Sequence, residues 1–325
     1  MNSHPTVRSA LLALITAVTF CSFIVTAPAF AAAPQVKTSA PGYYRVMLGD
    51  FEVTALSDGT VPLPMDKILA GISPGDFNKA ITRYHLTNPV DTSVNAYLIN
   101  TGDKLVLIDT GAGSFFGPTL GRLIPNLKAA GYQPEQVDEI YITHMHGDHI
   151  GSLSTNGVAN FPNATVRADK RDADYWLSQA NLDKAGADSK DGFQHAIAAF
   201  QPYVASGRFK TFDGNTDLVP GVKAVAAHGH TPGHTIYLVE SKGKKLILWG
   251  DLMHVASVQF DNPNVAVHFD SDSKDAIAER KKAYATAAKE GYLIGSAHLS
   301  FPGLGYLRTE GKGYAWIPVN YLALP

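Results

Sequence analysis

Four side chains able to hold a metal ion stand within six residues in Thr143-His144-Met145-His146-Gly147-Asp148-His149. Imidazole nitrogens and carboxylate oxygens are the donors that zinc and similar divalent ions take, and alternate spacing at 144, 146 and 148 lets one loop aim several of them at one point. A lone histidine is ordinarily a satisfied core or surface residue; four donors at this spacing are a set. Further candidates recur down the chain in Gly229-His230-Thr231-Pro232-Gly233-His234, in Trp249-Gly250-Asp251 and in Ala297-His298.

The elements that must position these groups are short. Apolar runs too brief for helices lie at Glu52 to Leu56, Ala96 to Ile99, Leu105 to Ile108, Ile140 to Thr143, Val222 to Ala226, Ile236 to Val239, Leu246 to Trp249 and Tyr292 to Ala297, and they read as strands. Three of them run directly into His144, Asp251 or His298. Buried strands whose exit loops carry the chemistry are the usual arrangement on layered α/β folds, because the sheet fixes loops that converge at its edge. Helix-like stretches lie between, at Leu120 to Ala130, Lys170 to Leu182, Phe193 to Val204 and Ser273 to Lys289, and Gly131 and Gly291 follow two of them as helix stops.

The chain has 325 residues, 45% hydrophobic and 17% charged, with 27 Lys+Arg against 29 Asp+Glu. That composition is globular, and it offers no basic field to hold a phosphate backbone, so nucleic acid is not an expected partner. Ala10 to Val25 is almost unbroken apolar sequence, shorter than a membrane helix requires, and Ala29-Phe30-Ala31 is a small-x-small cleavage site. Residues 1–31 therefore read as a signal peptide without a stable membrane anchor, residues 32–42 as a leader, and residues 43–325 as a single catalytic domain. The expected location is periplasmic or secreted. The sole cysteine, Cys21, lies in the signal segment, which excludes disulfides and thiolate ligands from the mature chain.

A competing motif, Gly71-Ile72-Ser73-Pro74-Gly75, has the letters of a serine-hydrolase elbow. It fails on mechanism, because that elbow needs the backbone N–H after the serine and Pro74 has none. Asn163-Ala164-Thr165 matches a glycosylation sequon but reads as a turn entering a strand.

With His-x-His-x-Asp-His at its centre, Leu107-Ile108-Asp109-Thr110-Gly111 before it and the later His and Asp motifs in order, the sequence resembles the metallo-β-lactamase-fold hydrolases over roughly residues 43 to 320. The resemblance implies an α/β architecture, an αββα sandwich of two mixed sheets with helices outside and a dinuclear metal site at one edge. It puts His144, His146 and His234 on one metal, Asp148, His149 and His298 on the second, and Asp251 between them. So many donors exceed one tetrahedral ion, and two ions about 3.5 to 4 Å apart can hold a bridging hydroxide as nucleophile. Asp148 and Asp251 are the catalytic carboxylates of that scheme. Zinc is the expected ion, with manganese, cobalt or iron compatible with the same donors. Asp109 is expected to orient a ligand imidazole by accepting its other N–H, and His228 and His230 to stabilise the loop rather than coordinate.

Longer segments, among them Gly49 to Leu56, Phe116 to Leu120, Gly131 to Asp138 and His298 to Gly303, are similar to the methyl parathion hydrolases and their organophosphate-hydrolase and lactonase relatives. That likeness implies a pocket lined by Phe116, Trp176 and Phe193. His254 and Phe269 depart from the parathion-hydrolysing pattern and would crowd or polarise it. The expected substrate is a small neutral ester, either a lactone or aryl ester or an organophosphate triester; a homodimer is left open. An iron-containing oxidoreductase or a non-catalytic metal-binding protein of the same fold is the alternative.

Overall fold

Along the strand Val90–Asn100, Ala96 and Leu98 point to one side and Tyr97 and Ile99 to the other, and all four are buried. The adjoining strand Leu105–Ile108 repeats this, with Leu105 and Leu107 on the first side and Val106 and Ile108 on the second. Side chains alternate across a strand, so a strand apolar on both faces needs cover on both. That requirement organises the molecule. The computed structural model describes residues 35–324 together with Met1 and Ala33, and the expected signal peptide, Met1 apart, lies outside the described residues. From Ala40 the chain forms one unit.

The first sheet has seven strands in the order Tyr43–Leu48, Phe51–Leu63, Val90–Asn100, Leu105–Ile108, Glu139–Tyr141, Thr165–Asp169 and Phe209–Phe212. Pairing is antiparallel as far as Leu105–Ile108 and parallel beyond it. The second sheet runs Thr216–Val219, Val222–Ala226, Thr235–Ser241, Lys244–Leu248, Leu293–Gly295, Leu304–Glu310, Gly313–Pro318. Between the sheets Tyr97, Ile99, Val106, Ile108 and Tyr141 meet Tyr237, Val239, Leu246, Leu248 and Leu304. Outside the first sheet, Leu98, Leu107, Ile140 and Val166 pack under the helices Leu123–Ala129 and Ala187–Ala205. Outside the second, Trp249, Ile294 and Leu307 pack against Ala283, Tyr284 and Ala287 of the helix Ser273–Glu290. The layers are α, β, β, α, as expected.

Differences from the sequence reading have local causes. The helix expected from Leu120 starts at Leu123, because buried Asp58 takes the backbone N–H groups of Ala112, Gly121 and Leu123 and holds that approach out of helical geometry. The helix expected over Lys170 to Leu182 is two, Lys170–Trp176 and Gln179–Lys184, because the Ser178 hydroxyl accepts from the Asn181 N–H and caps a new start. Ser73 likewise caps the helix Pro74–Arg83 by accepting from the Asp76 N–H, a structural role for the serine-elbow letters. Asn163 donates to the Glu135 carbonyl just before the strand Thr165–Asp169.

Candidate metal centre

The donors come from the ends of both sheets. Glu139–Tyr141 leads into the loop bearing His144 to His149; in the second sheet, His230 follows Val222–Ala226, Asp251 follows Lys244–Leu248 and His298 follows Leu293–Gly295. They meet as two groups sharing one member. His144, His146, His230 and Asp251 have ligand atoms within 4.8 Å of one another, and so do Asp148, His149, Asp251 and His298. Asp251 faces both: its Oδ2 lies 3.6 Å from His144 Nε2 and 3.3 Å from His230 Nε2, while its Oδ1 lies 3.1 Å from His149 Nε2 and 3.1 Å from His298 Nε2.

Oxygen atoms outside the centre fix the rings. His149 Nδ1 lies 2.8 Å from Asp109 Oδ2, His230 Nδ1 2.8 Å from Asp270 Oδ1, His298 Nδ1 2.9 Å from the Ser93 carbonyl and His144 Nδ1 3.1 Å from the Thr143 hydroxyl. A partner on the outer nitrogen sets ring orientation and leaves the inner nitrogen for an ion. Asp109 also accepts the backbone and hydroxyl protons of Thr143, each at 2.8 Å. It sits at φ +60, a conformation rare outside glycine that its surroundings must enforce.

The donor set fits metal. His146 Nδ1 lies 3.0 Å from His144 Nε2 and 3.1 Å from His230 Nε2. Burial first, then neighbouring imidazoles, hold His144 and His146 well below the ordinary histidine range. Their lone pairs therefore converge and call for a cation between them. In the second group, His149 Nε2 and Asp251 Oδ1 are buried 3.1 Å apart without a well-formed hydrogen bond between them, an arrangement that an ion between them would satisfy. Burial opposes ionisation of Asp251, but His149, His298 and His144 around it outweigh burial and hold the carboxyl well below its usual range. Against the burial that opposes their charge, neighbouring carboxylates, Asp251 first among them, hold His149 well above the ordinary histidine range, His298 above it and His230 at about 9, so the centre sets ionised Asp251 among rings of two kinds.

His234 requires a correction. The structure puts His230 in the first group, where the sequence reading put His234. Both His234 nitrogens are occupied: Nδ1 lies 3.0 Å from the Ala227 carbonyl, and Nε2 accepts the Asp251 backbone N–H at 3.0 Å. Burial pushes its pKa down to about 3, which keeps that nitrogen an acceptor. The strand end also passes too close for a side chain, since a Cβ at Gly250 would come within 2.8 Å of His234 Nε2. His234 fastens the backbone of Asp251, and His230, read as loop support, points its Nε2 inward. His228 lies outside, with Nδ1 3.1 Å from the Arg171 guanidinium.

Around the mouth, the Trp176 ring meets His146 edge-on at 5.3 Å, and Phe269 lies 5.8 Å from His230 and 5.3 Å from His254. Phe116 is 47% exposed, with its ring over Gly147. Phe193, read as lining the pocket, is 3% exposed and packs behind Trp176 at 4.8 Å, so it supports the wall. His254, read as a substrate contact, has Nε2 3.1 Å from Asp251 Oδ2, while its buried Nδ1 has no partner. Asp270 and Asp172 were missed, although Asp270 stands in His268-Phe269-Asp270-Ser271-Asp272 and Asp172 between Asp169 and Asp174, because neither stretch belongs to the motifs read as metal-binding.

A sandwich with this centre at the strand ends is the architecture of a metal-dependent hydrolase. A model of the metallo-beta-lactamase superfamily matches residues 89–288. N-acyl homoserine lactonases of Bacillus sp and Bacillus cereus are 26% and 27% identical over 229 and 235 residues, covering 64% and 65% of this chain and 82% and 83% of theirs. Among solved structures, the hydrolase AbOPH of the beta lactamase superfamily is similar with TM-score 0.83 at 39% identity, over 88% of this chain and 100% of its own. AidC, a dizinc quorum-quenching lactonase solved with its product N-hexanoyl-L-homoserine, is similar with TM-score 0.80 at 26% identity, over 87% of this chain and 99% of its own. The chain belongs to the metallo-β-lactamase superfamily.

Proposed function

We propose that this protein hydrolyses lactones and related neutral aryl esters with two divalent ions, zinc in the native state. The observation that carries the reading is Asp251, which lies between two histidine groups, with His230 Nε2 3.3 Å from its Oδ2 and His149 Nε2 3.1 Å from its Oδ1. On this reading His144, His146 and His230 would hold one ion and Asp148, His149 and His298 the other, with Asp251 between the two groups. Ions held there would supply a nucleophile from water at neutral pH and polarise the ester carbonyl.

The chain's own residues supply the rest. Asp109, Asp270, the Ser93 carbonyl and Thr143 keep the imidazoles aimed, and the backbone contact from His234 keeps Asp251 in place. Trp176, Phe116 and Phe269 would exclude water and hold the apolar part of an ester. The named lactonases among the relatives support a lactone, as does the uncharged aromatic mouth. Exported location, with residues 1–31 removed, completes the proposal. The test is metal analysis of purified protein with rates on an N-acyl homoserine lactone, an aryl ester and a phosphotriester. Two metals with lactone or aryl ester turnover are expected; two metals with turnover of the phosphotriester alone, or of none, would sink the substrate assignment.

A further inference from the structure

Asp172 belongs to no motif, yet one side chain joins the two loops that supply every histidine of the first group. It is 1% exposed and sits in the first turn of the helix Lys170–Trp176. Its Oδ2 accepts the Met145 backbone N–H at 2.9 Å and the Thr231 hydroxyl at 3.0 Å, and its Oδ1 accepts the Gly233 backbone N–H. Met145 stands between His144 and His146, and Thr231 directly follows His230. The loops pass so close to the helix that a Cβ at Gly233 would come within 2.6 Å of the Asp172 backbone nitrogen. The second group is held differently: Asp109 fastens His149, and the Ser93 carbonyl fastens His298.

We propose that Asp172 is the positioning residue of the first half-site, setting the separation of His144 and His146 from His230 and hence the affinity of that half-site alone. It does not reach the ion; it fixes the backbone on either side of three ligands. Groups that orient ligands are worth about ten- to a hundredfold in metal affinity. Trp176 lies one turn along the same helix, against the His146 ring, so the mouth and the half-site share one support.

The inference rests on the two-ion reading, and the experiment separates the two. Zinc is titrated into metal-free protein against a chromophoric chelator, with His230→Ala and His298→Ala showing which transition belongs to which half-site. A wild type without two transitions defeats the two-ion reading itself. Given two, Asp172→Asn should weaken the first half-site about ten- to a hundredfold and leave the second within about twofold. Thr231→Val, which removes one of the three hydrogen bonds with little change of shape, should weaken the same half-site by a few-fold and covers the case in which Asp172→Asn does not fold. Asp58→Asn is the control, a buried carboxylate with three backbone partners elsewhere in the molecule; it should lower the melting temperature of metal-free protein and shift neither affinity. Equal weakening of both half-sites, or unchanged affinities beside a lower melting temperature, would overturn the assignment.

Discussion

The loops Thr143 to His149 and His228 to His234 are both histidine-rich, and they use their histidines differently. In the first, every donor-type side chain joins one of the two groups. In the second, only His230 of three histidines does; His228 faces Arg171, and His234 holds backbone atoms. Four rings of the two groups, His144, His149, His230 and His298, are anchored at the outer nitrogen and turn the other toward the centre. A ring with both nitrogens committed is a brace, whatever motif it stands in.

That comparison is sharpest at the shared carboxylate. Asp251→Ala should lose both half-sites together and reduce ester hydrolysis to background, because Asp251 is the residue common to the two groups; elemental analysis and initial rates check it, and two retained metals with normal turnover would remove Asp251 from the centre. Next in size is the split between the two histidines of one loop. His230→Ala should lower metal content from two to one per chain. His234→Ala should keep metal stoichiometry but lower the stability of the metal-free fold by about 1 to 3 kcal/mol, since it strands the Asp251 N–H in a buried site. Chemical denaturation with metal analysis distinguishes them, and identical behaviour would erase the contrast between ligand and brace.

Chelation probes both loops at once. Ions that bind the native state alone stabilise it by about 4.1 kcal/mol at a thousand times Kd, so removing them should lower the melting temperature by calorimetry, and an unchanged melting point would mean that the centre is not coupled to folding. The smallest expected effect is at His254. Its replacement by leucine removes a ring that touches Asp251 and Phe269 and should shift kcat/KM toward phosphotriesters relative to lactones by about 1 to 3 kcal/mol. An unchanged ratio would confine His254 to bracing Asp251.

Much of this was legible in the sequence because the strands are short, apolar and end in donors. Leu105 to Ile108, an apolar run too brief for a helix, announced a strand, and the donors of Thr143 to His149 announced a metal loop. Tyr43–Leu48 and Gly313–Pro318 escaped notice because edge strands carry mixed polarity. His230 and His234 stand in one hexapeptide, and nothing local tells which ring turns inward. That is decided by the Ala227 carbonyl, the Asp251 N–H and Asp270, groups that come together only in the folded chain. Asp172 was invisible for the same reason.

The arrival of donors from both sheets bears on the order of events in the life of the chain. No half of the molecule can assemble the centre, because the first sheet brings His144 to His149 and the second brings His230, Asp251 and His298. Bringing together groups this distant in sequence is slow because loop closure must come first, so on the two-ion proposal the ions would be captured once the two sheets dock. On the proposed export, a chain that crossed a membrane unfolded would travel without metal. Which ion it finally holds is set by the supply in the compartment where folding finishes, as much as by the donors themselves.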